Sequence, residues 1–175
     1  MIIHFQPLHE SHFPLLLKWL ETPHVKKWWD QDVTYTMDLV REKYSSYVKG
    51  YKFVDGQQKP IKGFIIYSDQ NPVGYIQIYN AYDFPRSKAL LGLPSNLGAF
   101  DIFIGEAAAL QQGLGSKVIL EFLKLHGNPY THIFADPDIN NLSAINNQYI
   151  DIDWTKPIAS SIIKDGTAND IDTTY

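Results

Sequence analysis

One sequence pattern that could bind a ligand is a short glycine-containing loop. It consists of Gln111, Gln112, Gly113, Leu114, Gly115 and Ser116. The loop follows a predicted strand over residues 99–104 and leads into a predicted helix over residues 116–126. Glycines let the main chain approach an anion, and unpaired N–H groups at a helix N-terminus point toward it. A GxG pair alone is equally typical of an ordinary turn with a glycine cap, so the loop predicts a phosphate site only together with its strand and helix.

A carboxylate, Asp101, lies in the predicted strand immediately before this loop. A carboxylate can bind or deprotonate an amine, but an isolated one is a weak base for an ammonium group. Burial or a relaying water molecule would therefore have to assist it. The alternative interpretation is an aspartate at a strand edge that faces solvent.

Two adjacent tryptophans and two further aspartates are candidates for contact with a cationic substrate. Trp28 and Trp29 could form an aromatic wall, because aromatic faces attract cations and stack on sugar rings; one of the two is expected to belong to the core. Asp83 and Asp136 could bind ammonium groups. An aspartate before proline, as at Asp136, is also common simply as a turn-former.

The composition excludes several classes of function. The 175 residues contain no cysteine, which excludes disulfides, zinc–cysteine sites and a covalent thiol intermediate. The formal net charge is -4 without a basic cluster, which argues against nucleic-acid binding. No apolar run reaches the roughly 20 residues of a membrane span, and no signal peptide precedes the first strand, so a cytoplasmic protein is expected. The histidines lack metal-ligand spacing, and no metal site is predicted.

Periodicity and turn residues predict a β-α-α-β-β-β-α-β-α order, followed by a polar tail. The predicted strands are 2–5, 61–68, 72–82, 99–104 and 131–135, and the tail could add one at 149–154. The predicted helices are 13–20, 36–49, 116–126 and 140–149. An early hairpin and a late βαβ unit together predict an α+β domain, a mixed sheet with helices on both faces.

Several motifs in this order resemble those of GNAT acetyltransferases. The loop residues 110–115 are similar to the acetyl-CoA motif [RQ]xxGxG/A, and residues 141–145 are similar to the NxxAI helix start that follows the fifth strand of that fold. The segments 19–29, 72–77, 100–105 and 113–137 more narrowly resemble aminoglycoside 6'-N-acetyltransferases. The resemblance covers residues 3–145 in the order of that family.

The resemblance implies a GNAT fold with a mixed, mostly antiparallel sheet over a single domain, residues 1–175. It implies direct acetyl transfer to a small cationic amine, an aminoglycoside, in a ternary complex. Asp101 would be the base, Tyr149 the acid for the departing thiolate, and a bulged strand near residues 102–104 would supply the oxyanion N–H. The implied substrate contacts are Trp28, Trp29, Asp83, Asp101 and Asp136. The implied acetyl-CoA contacts are Ile102, Phe103, Ile104, Gln111, Gln112, Gly113, Leu114, Gly115, Ser116 and Asn141. No nucleic-acid or membrane partner is expected, and the chain is expected to be a monomer or a homodimer.

Two departures from the family pattern leave alternatives open. Leu110 stands where many members carry Arg or Gln, so the loop amides must do more of the binding. Tyr149 is one residue late, no Gly-Phe follows it, and residues 146–175 are atypical. The alternatives are a GNAT that acylates a siderophore hydroxylamine or a lysine side chain, and a GNAT that binds CoA without turnover.

Overall fold

Strands and helices follow one another over the residues that the computed structural model describes, which are 1–85, 90–135, 137, 138, 140, 141, 144 and 162–164. The strands are β1 Ile3–Pro7, β2 Tyr51–Val54, β3 Gln57–Ser68, β4 Asn71–Asn80, β5 Leu97–Ile104, β6 His132–Ala135 and β7 Ile162–Lys164. The helices are α1 Phe13–Leu20, α2 Pro23–Lys26, α3 Met37–Val48 and α4 Leu114–His126. Among the described helices, none has both the length and the apolar character that crossing a lipid bilayer requires.

The strands form one mixed sheet in the order β1-β3-β4-β5-β6-β7. The pairs from β1 to β5 are antiparallel, and β5, β6 and β7 run parallel. The short strand β2 pairs with the first residues of β3 through a hairpin at Asp55 and Gly56. Both turn residues have positive φ, 49° and 75°, which is the backbone of a two-residue hairpin turn. The mixed, mostly antiparallel sheet predicted from the sequence is confirmed.

Helices cover the two faces of the sheet, as predicted. α1 and α3 cover one face, where Trp19 and Tyr44 pack with Tyr75 of β4. α4 covers the other face, where Phe122 packs with Ile76 of β4. Successive residues of a strand point to opposite faces, so each sheet residue belongs to one layer or the other. Asp101 of β5 has the parity of Phe103 and therefore lies on the α1–α3 face.

Local signals explain where the helices begin and end. α1 has the bounds predicted from its apolar spacing. α3 begins after Thr36, whose hydroxyl accepts a hydrogen bond from the N–H of Leu39 over 3.3 Å. α4 begins at Leu114, two residues before the prediction, because Gly113 adopts a left-handed conformation and starts the helix. The predicted helix 140–149 and strand 149–154 lie outside the described residues except for positions 140, 141 and 144.

Candidate active site

A cleft of about 570 Å³ opens at the place where β5 and β6 separate. The two strands pair over three residues, from Leu97 opposite His132 to Ala99 opposite Phe134. Beyond this point, residues 100–104 of β5 line the cleft instead of pairing with β6. The other walls come from residues 24–29, from Gly115 and Ile119 of α4, and from the chain after β6. A gap between parallel strands at their C-terminal ends is a common place for a ligand in mixed sheets.

The main chain of β5 presents hydrogen-bonding groups to this cleft. The N–H of Gly105 donates to the carbonyl of Val73 over 2.8 Å, whereas the carbonyl of Ile104 accepts from Nε2 of His24 over 2.9 Å. Main-chain groups of an antiparallel strand alternate between its two sides. Because Gly105 bonds to β4, the N–H groups of Ile104 and Ile102 point away from β4, toward the gap.

The bulge expected near residues 102–104 is not found within β5 itself. The ladder between β4 and β5 runs without a shift from Gly74 opposite Ile104 to Asn80 opposite Gly98. The irregularity comes just after the strand, where the N–H groups of Gly105 and Glu106 both donate to the carbonyl of Val73. The cleft therefore arises from the separation of β5 and β6, which already frees one edge of β5 without an inserted residue.

The loop before α4 combines two left-handed residues with a helix N-terminus. Gln111 and Gly113 have φ values of 60° and 67°. The N-cap Gly113 has no side chain with which to cap the helix, and the first N–H groups of a helix can bind an anion. An added Cβ at Gly113 would have no heavy atom within 4 Å, which leaves open space beside the loop. The glycine is favoured there by its backbone conformation and not by crowding.

Asp101 lies in the cleft at the end of a short chain of hydrogen bonds. Its Oδ2 accepts from Nε2 of Gln77 on the neighbouring strand over 2.7 Å. Oε1 of Gln77 in turn accepts from the hydroxyl of Tyr75 over 2.9 Å. The carboxylate is half-buried. It is thus held at the cleft by a residue of the neighbouring strand and does not project freely into solvent.

Trp28 and Trp29 form one wall of the same cleft. Trp29 is half-buried and packs edge-on against Phe103, with ring centroids 5.0 Å apart, and against Tyr75 at 6.2 Å. It joins the core of the α1–α3 face, as expected for one of the pair. The Trp28 ring carries the ammonium of Lys27 at 4.6 Å from its centroid. One face of the Trp28 ring therefore already contacts a cation from the protein. This is the same kind of contact that was expected between the ring and a cationic ligand.

Comparison with known protein families places this cleft in a known fold. Residues 9–149 match the family described as acetyltransferase (GNAT) domain, and this range is more than half of the chain. The chain belongs to the GNAT family. The sheet order, the cleft between the two diverging strands and the helix that starts beside it are thus the architecture of a GNAT domain.

Relatives of this GNAT chain are named as aminoglycoside acetyltransferases. Aminoglycoside N(6')-acetyltransferases type 1 from Klebsiella pneumoniae and from Serratia marcescens are each 27% identical to it over 139 residues, which is 78% of this chain. The chain spans 66% of the length of those relatives. A solved structure of AAC(6')-Ib in complex with ribostamycin and coenzyme A superposes with a TM-score of 0.71 at 23% identity, over 84% of this chain and 80% of that one. This likeness confirms the predicted GNAT fold.

Eight of the sixteen residues predicted for the GNAT site line the cleft. They are Trp28, Trp29, Asp101, Ile102, Phe103, Ile104, Gly115 and Asn141. The Oδ1 of Asn141 also accepts from the N–H of Ala144 over 3.2 Å, so its side chain caps the turn that follows.

Other predicted residues lie elsewhere. Gln111 and Gln112 are exposed, and the Gln112 amide donates to the carbonyl of Ala108 over 2.7 Å. The Leu114 side chain is in the core, and Gly113 and Ser116 stand beside the cleft without lining it. Asp83 pairs with Lys59 over 3.3 Å, and it does not line the cleft. Asp136 and Tyr149 lie outside the described residues.

Two residues that make hydrogen bonds to the wall of the GNAT cleft were not predicted from the sequence. Gln77 donates a hydrogen bond to Asp101. The sequence did contain a sign of its role, because Gln77 is a single polar residue within the apolar run of β4. His24 lines the cleft and bonds to Ile104. It could not be distinguished from an ordinary surface histidine, because its partner is 80 residues away in the sequence.

A second, smaller cleft of about 370 Å³ lies between α3 and β2. Lys43 lines it and pairs with Asp30 over 2.5 Å. Lys52 also lines it, half-buried, and forms no ion pair within the described ranges. Burial, and then the charge of Lys43, lowers the pKa of Lys52, while the charges of Asp30 and Asp101 raise it. Lys52 therefore stands close enough to Asp101 for the two charges to interact.

Proposed function

We propose that this GNAT chain is an acetyl-CoA-dependent N-acetyltransferase that acts on the 6'-amine of an aminoglycoside. The observation that carries the proposal is the position of Asp101, in one cleft with an aromatic wall and with the start of α4. The relatives at 27% identity are named for the same reaction. An aminoglycoside offers ammonium groups to the carboxylate and sugar rings to the tryptophans.

The residues of the cleft suit acetyl-CoA as the second substrate. The pyrophosphate would bind to main-chain N–H groups of residues 113–116, where the helix dipole favours negative charge. The free edge of β5 at Ile102 and Ile104 offers hydrogen bonds to the amides of an extended ligand. Leu110 lines the cleft with an apolar side chain, so the loop relies on its amides for charge.

The proposed chemistry is direct attack of the acceptor amine on the thioester carbonyl. Asp101 holds the acceptor ammonium and removes its proton, either directly or through water. An N–H of the free β5 edge, at Ile102 or Ile104, stabilises the oxyanion. The new C–N bond forms, the C–S bond breaks, and the departing thiolate takes a proton. No enzyme nucleophile is needed, which suits a chain without cysteine.

Acetyl-CoA-dependent thiol release across a panel of amines tests this function. The informative pair is neomycin, which carries a 6'-amine, and paromomycin, which carries a 6'-hydroxyl at that position. We expect turnover with neomycin and kanamycin and at least tenfold less with paromomycin. Equal turnover of the matched pair would show that the 6'-amine is not the acceptor.

N6-hydroxylysine and calorimetry separate the alternatives. Thiol release with N6-hydroxylysine and none with aminoglycosides would assign the chain to the hydroxylamine-acylating enzymes. Binding of acetyl-CoA without thiol release on any amine would indicate a GNAT that binds its cofactor without turnover. No heat with CoA or acetyl-CoA at millimolar concentration would contradict the cofactor assignment itself.

A further inference from the structure

Apart from tyrosines, Gln77 is the one polar residue among the described residues whose side chain is buried, with 8% of its surface exposed. Burying an amide is unfavourable unless its donor and its acceptor both find partners. The amide of Gln77 has both, since it donates to Asp101 over 2.7 Å and accepts from Tyr75 over 2.9 Å. An apolar residue could fill this buried position without needing any hydrogen-bond partner. We therefore look for the role of the amide in the two residues that it connects.

Tyr75 fixes which end of the amide faces Asp101. Its side chain is fully buried, and burial raises the pKa of its phenol well above the usual value. The phenol therefore stays protonated and can donate to Oε1 of Gln77, which turns Nε2 toward the carboxylate. Gly63 leaves room for this hydroxyl, because a Cβ at Gly63 would lie 2.5 Å from it. The chain of donors thus runs in one direction, from Tyr75 through Gln77 to Asp101.

We infer that Gln77 is a positioning residue that holds Oδ2 of Asp101 and so sets the direction from which the carboxylate meets the acceptor amine. This inference rests on the proposed function, in which Asp101 binds that amine. A charged hydrogen bond from a buried donor is strong, and it locks the carboxylate rotamer.

A purely structural role of Gln77 makes a different prediction. If the amide only satisfied its own hydrogen bonds, its replacement would lower stability and weaken every ligand alike. A positioning role acts through Asp101, so it changes the handling of the acceptor and leaves acetyl-CoA unaffected. The coupling between the two residues therefore decides between the roles.

The main experiment is a double-mutant cycle with Gln77→Leu and Asp101→Asn, assayed on an acceptor that the wild type acetylates. Loss of a hydrogen bond to a charged group is expected to lower kcat/KM for the acceptor about ten- to hundredfold. The KM for acetyl-CoA should be unchanged. In the Asp101→Asn background, Gln77→Leu should add less than about threefold. Full additivity, or an equal loss of acetyl-CoA affinity, would overturn the inference.

A second variant, Gln77→Glu, adds a pH readout. It is close in size to glutamine, but it places a second carboxylate against Asp101. Like charges at this distance favour protonation of one of them. Position 77 is buried, so its carboxyl is the one favoured to stay protonated, and in that form it can still donate to Asp101. Relative to Gln77→Leu, kcat/KM for the acceptor should therefore recover at the lower pH and fall as the pH rises, which a loss of packing would not cause. A profile of the same shape as that of Gln77→Leu would contradict a contact between position 77 and Asp101.

Tyr75→Phe and Tyr44→Phe form a matched pair. Both rings are fully buried and they contact each other, with centroids 5.9 Å apart. The hydroxyl of Tyr44, beside Trp29, makes no hydrogen bond of ordinary geometry to the described residues. Tyr75→Phe should lower kcat/KM for the acceptor severalfold, whereas Tyr44→Phe should not. Equal effects of the two variants would remove Tyr75 from the chain of donors.

Nuclear magnetic resonance separates a failure of this inference from a failure of the proposed function. The side-chain NH₂ signals of Gln77, assigned by their loss in Gln77→Leu, should move in Asp101→Asn and titrate together with Asp101. This readout needs no turnover. If no amine is acetylated but the signals respond, the contact stands and the proposed function fails. If they do not respond, the positioning role fails whatever the activity is.

Discussion

The indole N–H of Trp19 donates to Oε1 of Glu106 over 2.8 Å and joins α1 to the residues that lead from β5 into α4. The ammonium of Lys18 contacts the same oxygen over 2.5 Å. Beside this contact, a Cβ at Gly105 would lie 2.2 Å from the Trp19 ring, so the chain passes the indole closely. α1 thus anchors the main chain between the free edge of β5 and the glycine loop.

Glu106→Gln tests the charge of this anchor. The hydrogen bonds from Lys18 and Trp19 lower the pKa of Glu106 below its usual 4.5. A carboxyl group with a lowered folded-state pKa contributes stability above its unfolded pKa, and this contribution is lost as the pH falls through the folded value. At pH 7 we expect the variant to be less stable by about 1 kcal/mol, a value reduced for partial exposure. At pH 3 the difference should shrink.

Urea unfolding of both proteins at pH 7 and pH 3 measures this effect. The matched control is Glu121→Gln on α4, whose ion pair with Lys124 is long, 3.4 Å, and largely exposed. The control should be within about 0.5 kcal/mol of the wild type at both values. A Glu106→Gln deficit that stays the same at pH 3 would show that the anchor does not depend on charge.

Local signals in the sequence were sufficient to predict the helices and strands whose apolar residues recur with a clear periodicity. The bounds of α1 follow from the helical spacing of Leu16, Trp19 and Leu20, all of which are buried. The hairpin of β3 and β4 follows from β-rich runs around a turn at Asp69. These elements could be predicted because each buries its own apolar face, so that local preference and tertiary packing agree.

Two strands, β2 and β7, were missed, for different reasons. β2 is half-exposed, and its partner segment at the start of β3 contains Gln57, Gln58 and Pro60, which are not typical strand residues. Strand composition therefore did not indicate this pair, although Asp55-Gly56 is a good hairpin signal. β7 pairs in parallel with β6 from about 30 residues further along the chain, and local pattern carries no information on such a pairing. The contact of Gln77 with Asp101 likewise depends on the register of β4 and β5.

Gly113→Ala tests the glycine loop against a matched glycine. Gly113 and Gly56 have φ values of 67° and 75°, and an added Cβ at either would have no heavy atom within 4 Å. Both alanine variants should therefore lose a similar stability, about 1 kcal/mol of backbone strain. Only Gly113→Ala should weaken acetyl-CoA, by about tenfold in calorimetry. Equal affinities in the two variants would contradict phosphate binding at this loop.

Asp101→Asn tests the proposed base. Removal of the charge leaves the shape of the side chain and should lower kcat/KM for the acceptor at least tenfold, about 1.4 kcal/mol of barrier. The affinity for acetyl-CoA should be unaffected. Asp38→Asn is the control, because its side chain is 94% exposed and pairs with Arg41 on the surface of α3. An unchanged kcat/KM in Asp101→Asn would remove this residue from the mechanism.

Lys52→Glu tests how charge near Asp101 selects the acceptor. Lys52 is half-buried, and the charge of Asp101 reaches it, so an acceptor bound at Asp101 is exposed to its positive field. Reversing this charge should raise kcat/KM for a multiply charged aminoglycoside about fivefold relative to a monoamine, and added salt should reduce the gain. Lys124→Glu makes the same change in net charge on α4, which covers the opposite face of the sheet. If both variants favour the polycation equally, only the net charge matters and Lys52 does not select the acceptor.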